Sequence, residues 1–160
     1  MEIINPQSQS QKPKKNPRNP AKRRKIHEDF DHRVEVCSKE DGFLGSYYEA
    51  KVLGKVGRNK LMVEYKTLLS DEDGQQPLKE IVEAAEVRPV PPVILVTGFE
   101  VLDTVDAFDN DGWWVGRISG SYEDGKYFVY FESSGDELAY PIHRLRVHQE
   151  WEDGQWLVVR

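Results

Sequence analysis

From residue 30 onward, hydrophobic and polar positions alternate in short runs broken by Gly, Asp and Asn. A period of two sends successive side chains to opposite faces, so the pattern predicts strands. The first half predicts strands over 33–37, 47–54, 60–66 and 78–82. On the first of these, Val34 and Val36 face a core while Arg33, Glu35 and Cys37 alternate with them on the outer side. Gly57-Arg58-Asn59 between two strand-forming runs predicts a hairpin, and the loop over 69–77 is polar and acidic. The second half predicts strands over 99–105, 113–119, 126–132, 138–140 and 155–159, with Glu123-Asp124-Gly125 as the matching hairpin.

The two halves align with each other. Tyr47-Tyr48-Glu49-Ala50-Lys51-Val52 matches Trp113-Trp114-Val115-Gly116-Arg117-Ile118, and Val63-Glu64-Tyr65 matches Val129-Tyr130-Phe131, with a period of about 66 residues. The same strand unit at a fixed period means a duplicated domain. Units this short and strand-rich predict an all-β protein of two tandem, strongly bent small β-barrels packed together. The predicted division is a disordered basic tail over 1–27, a first barrel over 28–90 and a second over 91–160. Val87-Arg88-Pro89-Val90-Pro91-Pro92 marks the boundary, since proline stops pairing and stiffens a connection.

Charge changes this picture by separating the tail from the rest. Residues 1–27 carry eight Lys or Arg against the single acid Glu2, whereas residues 28–160 carry 14 basic and 27 acidic side chains. A folded part this acidic repels phosphates and attracts cationic partners. The tail has almost nothing apolar to bury. Its groups Lys12, Lys14, Lys15 and Lys22, Arg23, Arg24, Lys25 suit a nuclear localisation signal, or a basic arm making weak DNA or RNA contacts. The single cysteine, Cys37, predicts a buried structural thiol. The sequence shows neither a signal-peptide run nor a membrane-length apolar stretch, so a soluble intracellular chain with no membrane partner is expected. The ending Leu157-Val158-Val159-Arg160 reads as a cut within a longer array.

Catalytic signatures are missing from the sequence: it has no Gly-rich phosphate loop, nucleophile motif or Cys/His cluster. The expectation is a protein that is not an enzyme and holds neither cofactor nor metal. The aromatic residues are more informative. Phe43, Tyr48 and Tyr65 in the first repeat, and Phe108, Trp114 and Phe131 in the second, occupy loop, strand start and facing strand end. Three π-faces at one barrel mouth make a box for a methylated ammonium. A carboxylate beside it favours lower methylation states, which keep an N–H to donate. Asp71, Glu72 and Asp73 follow Tyr65, while Asp136 and Glu137 follow Phe131. Aromatics of small barrels are also ordinary core, and acidic loops are ordinary solvated surface, so both readings stand at this point.

The stretches Glu40-Asp41-Gly42-Phe43-Leu44-Gly45-Ser46-Tyr47-Tyr48, Asp109-Asn110-Asp111-Gly112-Trp113-Trp114 and Tyr127-Phe128-Val129-Tyr130-Phe131 resemble plant Agenet domains, as does the closing Leu145-Arg146-Val147-His148 to Trp156. The resemblance spans about 28–160 as a tandem pair. It implies Tudor-like barrels of the Royal group, a nuclear chromatin reader, and a histone H3 tail as partner, dimethylated at lysine nine in silenced heterochromatin. It also implies cage positions at Tyr48 and Tyr65 with Phe43, beside Asp71, or at Phe108, Trp114 and Phe131. The pattern departs from the family at Leu68 and Ser134, where Tudor cages often carry an aromatic. The first repeat is the favoured cage, with Glu72, Asp73, Glu123, Asp124, Asp136 and Glu137 holding unmodified basic residues of the same peptide. A monomeric tandem pair is expected. The rival readings are an interaction scaffold indifferent to methylation and an RNA-binding module.

Overall fold

The computed structural model describes residues 2–4, 33–40, 42–70, 72 and 74–158. Both basic groups of the tail lie outside the described residues, as do Asp71 and Asp73. Strands in chain order are β1 (Glu2–Ile4), β2 (Arg33–Cys37), β3 (Ser46–Val56), β4 (Lys60–Leu69), β5 (Pro77–Glu83), β6 (Val87–Pro89) and β7 (Thr104–Asp109). They continue with β8 (Gly112–Ser121), β9 (Tyr127–Tyr130), β10 (Glu137–Tyr140), β11 (Leu145–Val147), β12 (Gln149–Glu152) and β13 (Gln155–Val158). Two single-turn 3-10 segments precede β6 and β11, and the described residues contain no α-helix. The chain divides into a larger unit (1–4, 37–48 and 91–160) and a smaller unit (5–36 and 49–90).

In the smaller unit, β3 and β4 form the expected hairpin around Gly57, whose φ of +64° suits glycine. Ala50 faces Tyr65 and Val52 faces Val63, before a bulge at Val52/Gly54 bends the strand. β5 pairs with the far side of β4, and β2 pairs with β6 through Val34↔Pro89, Glu35↔Arg88 and Val36↔Val87. Val34, Val36, Ala50, Val63, Tyr65 and Val82 are buried. Glu35 departs from the sequence pattern, being 1% exposed although it alternates with Val34 and Val36. The cause is Arg88 on β6, also buried, whose guanidinium donates to Glu35 Oε1 at 2.8 Å. A charge enters an interior only with such a partner.

In the larger unit the ladder runs β11-β7-β8-β9-β10, and the first residues of β3 pair with β8 through Ser46↔Trp114 and Tyr47↔Trp113. Val105, Ala107, Ile118, Val129, Phe131, Tyr140 and Leu145 form its core. A second sheet, β1-β13-β12, uses a tight turn at Asp153-Gly154 with both φ values positive. β1 places residues 2–4 on β13, whereas the sequence puts them in an unstructured tail.

The architecture is all-β, as the sequence predicts, with ladders that do not close into full barrels. Pro141 and the 3-10 turn Ile142–Arg144 separate the short β10 and β11 and redirect the chain where closure would need continued pairing. The strand predicted over 99–105 is also displaced. Leu102 adopts φ +81° and Asp103 Oδ2 accepts the Glu100 N–H at 2.9 Å, so the chain turns there and β7 starts at Thr104. Cys37 is half-buried instead of fully buried.

Candidate functional site

The loop before β3 is built to hold Phe43. Gly42 and Gly45 take positive φ, the Ser46 hydroxyl and N–H both donate to the Phe43 carbonyl, and Val115 N–H donates to Gly45 O at 2.8 Å. Ser46 is fully buried, so this loop is pinned onto β8 at its root. Phe43 itself remains 45% exposed. Two residues beyond Ser46, Tyr48 lies over the backbone of Gly112, where an added Cβ would sit 2.6 Å from the ring. Only glycine allows that approach. Trp114 is held from β8, its indole N–H donating to Asp109 O at 2.8 Å. The intervening turn, Asn110-Asp111, has φ values of +47° and +65°, the type I′ geometry that short Asn and Asp tolerate.

These placements bring three rings together. Phe43 and Tyr48 have centroids 6.5 Å apart, Phe43 and Trp114 6.4 Å, and Tyr48 and Trp114 6.4 Å. Tyr48 is edge-on to both other rings, while Phe43 and Trp114 lie at 29°. A point equidistant from such a near-equilateral set is about 4 Å from each centroid, inside the ~6 Å reach of a cation–π contact. Burial, reinforced by the negative charge of Asp111, raises the Tyr48 phenol above its ordinary 10 and keeps it neutral. The exposed side of Phe43 leaves the cluster open to solvent.

The other expected cage residues go elsewhere. Tyr65 belongs to the smaller unit, buried on β4 opposite Ala50. Phe108 packs on Trp113 at 5.2 Å, and Phe131 is buried against Tyr140 at 6.1 Å. So the rings that meet are Phe43 and Tyr48 of one proposed set with Trp114 of the other. Tyr48 and Trp114 are equivalent in the repeat alignment, but their meeting depends on the β3–β8 register, which no periodicity reveals. Asp109 and Asp111 were missed; the Asn-Asp-Gly turn before Trp113 was the available signal.

The acidic candidates are scattered. Glu72 is exposed; Glu123 and Asp124 sit at the exposed β8–β9 turn, where Asp124 accepts the Lys126 N–H at 3.2 Å. Glu137 accepts the Ser119 hydroxyl at 2.8 Å, and the Asp136 N–H faces Ser134 Oγ at 3.3 Å.

Residues 31–92 match the Agenet domain family model. The chain is 42% identical over 77% of its length to the protein AGENET DOMAIN (AGD)-CONTAINING P1 of Arabidopsis thaliana, and covers 24% of that protein. It is 40% identical over 78% of its length to DUF724 domain-containing protein 3 of the same plant, covering 19% of it. The chain thus spans about a quarter or less of these curated relatives. Among solved structures, Arabidopsis thaliana AGDP1 AGD34 superimposes with a TM-score of 0.77 at 38% identity, over 85% of this chain and 94% of that one. The ADCP1 tandem Agenet domain 3-4 gives a TM-score of 0.72 at 35% identity, over 86% and 94%. With coverage this complete at this identity, the chain belongs to the Agenet domain family, as a Tudor-like tandem pair.

Proposed function

We propose that this protein is a nuclear chromatin reader that grips a methylated lysine of a histone H3 tail. Phe43, Tyr48 and Trp114 are its cage walls, and Asp111 is its rim carboxylate. The observation that carries this reading is the three-ring cluster, with all centroids 6.4–6.5 Å apart and one ring open to solvent. An ammonium there exchanges water for three π-faces. Asp111 favours the dimethylated state over the trimethylated one, because a dimethylammonium still donates one N–H. Lysine nine is the preferred mark on family resemblance. The acidic balance of residues 28–160 supports a basic peptide over RNA, and Glu72, Glu123, Asp124, Asp136 and Glu137 supply long-range attraction. Lys14, Lys15, Lys22, Arg23, Arg24 and Lys25 serve nuclear import.

Calorimetry with H3 peptides carrying zero to three methyl groups at lysine nine tests the reading. Expected are micromolar affinity, a maximum at dimethyl-lysine, and loss in Trp114→Ala. Affinity that is equal for unmethylated and methylated peptides overturns it in favour of an interaction scaffold.

A further inference from the structure

Behind the aromatic cluster, the larger unit buries a second set of ionisable side chains. Asp106, on β7, has no exposed surface and accepts from two cations: Arg146 Nε at 2.8 Å from β11, and His148 Nδ1 at 2.7 Å from just before β12. His148 is 3% exposed, and its other nitrogen meets Glu150 Oε1 of β12 at 2.6 Å. Two carboxylates thus hold one imidazolium, with Arg146 balancing the remaining charge. The cluster reaches the β3–β8 ladder at two points. The Arg146 guanidinium lies 4.2 Å over the Trp113 ring, and the His148 ring is 6.2 Å from that of Tyr47.

Tyr47 and Trp113 are direct cross-strand partners, next to the pair Ser46↔Trp114. Strand alternation sends Tyr47 and Trp113 to one face and Tyr48 and Trp114 to the other. The two cage walls therefore project from backbone whose opposite face rests on the cations of this cluster. We propose that His148, Asp106 and Arg146 are positioning residues for the aromatic site. Protonated His148 and Arg146 hold Tyr47 and Trp113, and through the shared backbone they hold Tyr48 and Trp114 in register. The ring geometry stands independently of what binds there; only the effect on ligand rests on the methyl-lysine reading.

Burial alone would discourage charge on His148, but the hydrogen bonds and charges of Asp106 and Glu150 outweigh it and push the imidazolium up to about 9. The groups facing it are Asp106 from β7, Glu150 from β12 and Tyr47 from β3, with Arg146 of β11 reached through Asp106. Removing the proton takes away one of the cations that Asp106 and Glu150 face, and the support beneath Tyr47 changes. Glu150 is the member to alter, because its side chain is 41% exposed and Glu150→Gln keeps its shape.

The test follows ring C–H resonances of His148, Trp114 and Tyr48 by NMR from about pH 6 to about pH 10, in wild type and Glu150→Gln. The Trp114 and Tyr48 resonances are expected to move with the His148 midpoint, and that midpoint to fall by about one unit in the variant. Trp114 and Tyr48 signals that stay flat while His148 titrates overturn the proposal. In parallel, affinity is measured for an H3 peptide with trimethylated lysine nine, whose charge does not titrate. A several-fold loss through the same midpoint supports positioning, and unchanged affinity across it overturns positioning. If the peptide fails to bind at any pH, the methyl-lysine reading falls, while the resonances still decide the positioning role.

Discussion

Tyr65 on β4 of the smaller unit and Phe131, just past the end of β9 in the larger one, occupy matching places in the repeat alignment, and they are 6% and 7% exposed. The aromatics ahead of β3 and β8 differ, since Phe43 is in a loop and Phe108 is on β7. Phe43 is nearly half exposed beside Tyr48 and Trp114, whereas Phe108 lies half-buried against Trp113. The core-filling aromatic is thus alike in the two repeats, while the aromatic ahead of β3 or β8 is placed differently. Phe43 and Tyr48 come from the first sequence repeat, yet they count to the same compact unit as Trp114. The candidate site draws its walls from both repeats, so neither repeat alone contains it.

The two units also differ in how they neutralise buried charge. Among the described residues, the smaller unit pairs Glu35 with Arg88, while the larger unit sets Asp106 between Arg146 and His148. The largest expected effect breaks the simpler arrangement. Glu35→Ala removes the buried carboxylate beside Arg88 and should cost about 3–5 kcal/mol, measured by denaturant unfolding. Replacing both partners together, Glu35→Leu with Arg88→Met, should recover most of that loss. If the double variant is as unstable as the single one, the pair is not what the smaller unit depends on.

Next in size is a pH effect centred on His148 of the larger unit; the described residues of the smaller unit include no histidine. The His148 imidazolium is raised from 6.5 to about 9, so its contribution is complete below about pH 6.5 and disappears as pH rises through about 9. At about 1.4 kcal/mol per unit, this amounts to roughly 3 kcal/mol. Asp106 has the opposite sign. Burial opposes its charge, but His148 and Arg146 hold it below the usual carboxylate range, and its contribution is lost as the solution turns acid. Hydrogen exchange resolved by residue should show β7 and β11 loosening toward pH 10 before β4 and β5 do. Equal loosening of both units would contradict this.

A smaller effect separates stability from site geometry. Gly112→Ala drives a methyl group into the Tyr48 ring and should cost about 1–3 kcal/mol, with a changed Tyr48 environment in near-ultraviolet circular dichroism. An unchanged spectrum would mean that Tyr48 does not rest on Gly112.

Much of this was legible in the sequence because strand alternation and hairpin residues act locally. Val34 and Val36, the Gly57 turn and the Glu123-Asp124-Gly125 turn all stand where the pattern puts them. The misses involve partners distant in sequence. Glu35 reads as a surface residue until Arg88 pairs with it 53 positions later. The strands β6, β11 and β12 are three or four residues long, too short for a period to appear, and two of them follow 3-10 turns. At the site, the residue types and loop positions were readable, but the grouping was not. That Trp114 joins Phe43 is set by the register Ser46↔Trp114, a long-range pairing with no local signature.

The smallest expected effect on stability is also the sharpest test of the difference between Phe43 and Phe108. Phe43 is 45% exposed and contributes little core packing, so Phe43→Ala should leave the unfolding midpoint nearly unchanged. Losing one of three π-faces should still weaken methyl-lysine peptide binding by about 1 kcal/mol, roughly five-fold, by calorimetry. Phe108→Ala provides the contrast. Its ring packs against Trp113, so the expected loss is in stability, with affinity preserved whenever the protein is folded. If Phe108→Ala weakens binding and Phe43→Ala does not, the site belongs to the second repeat alone, and the three-ring cluster is a packing feature.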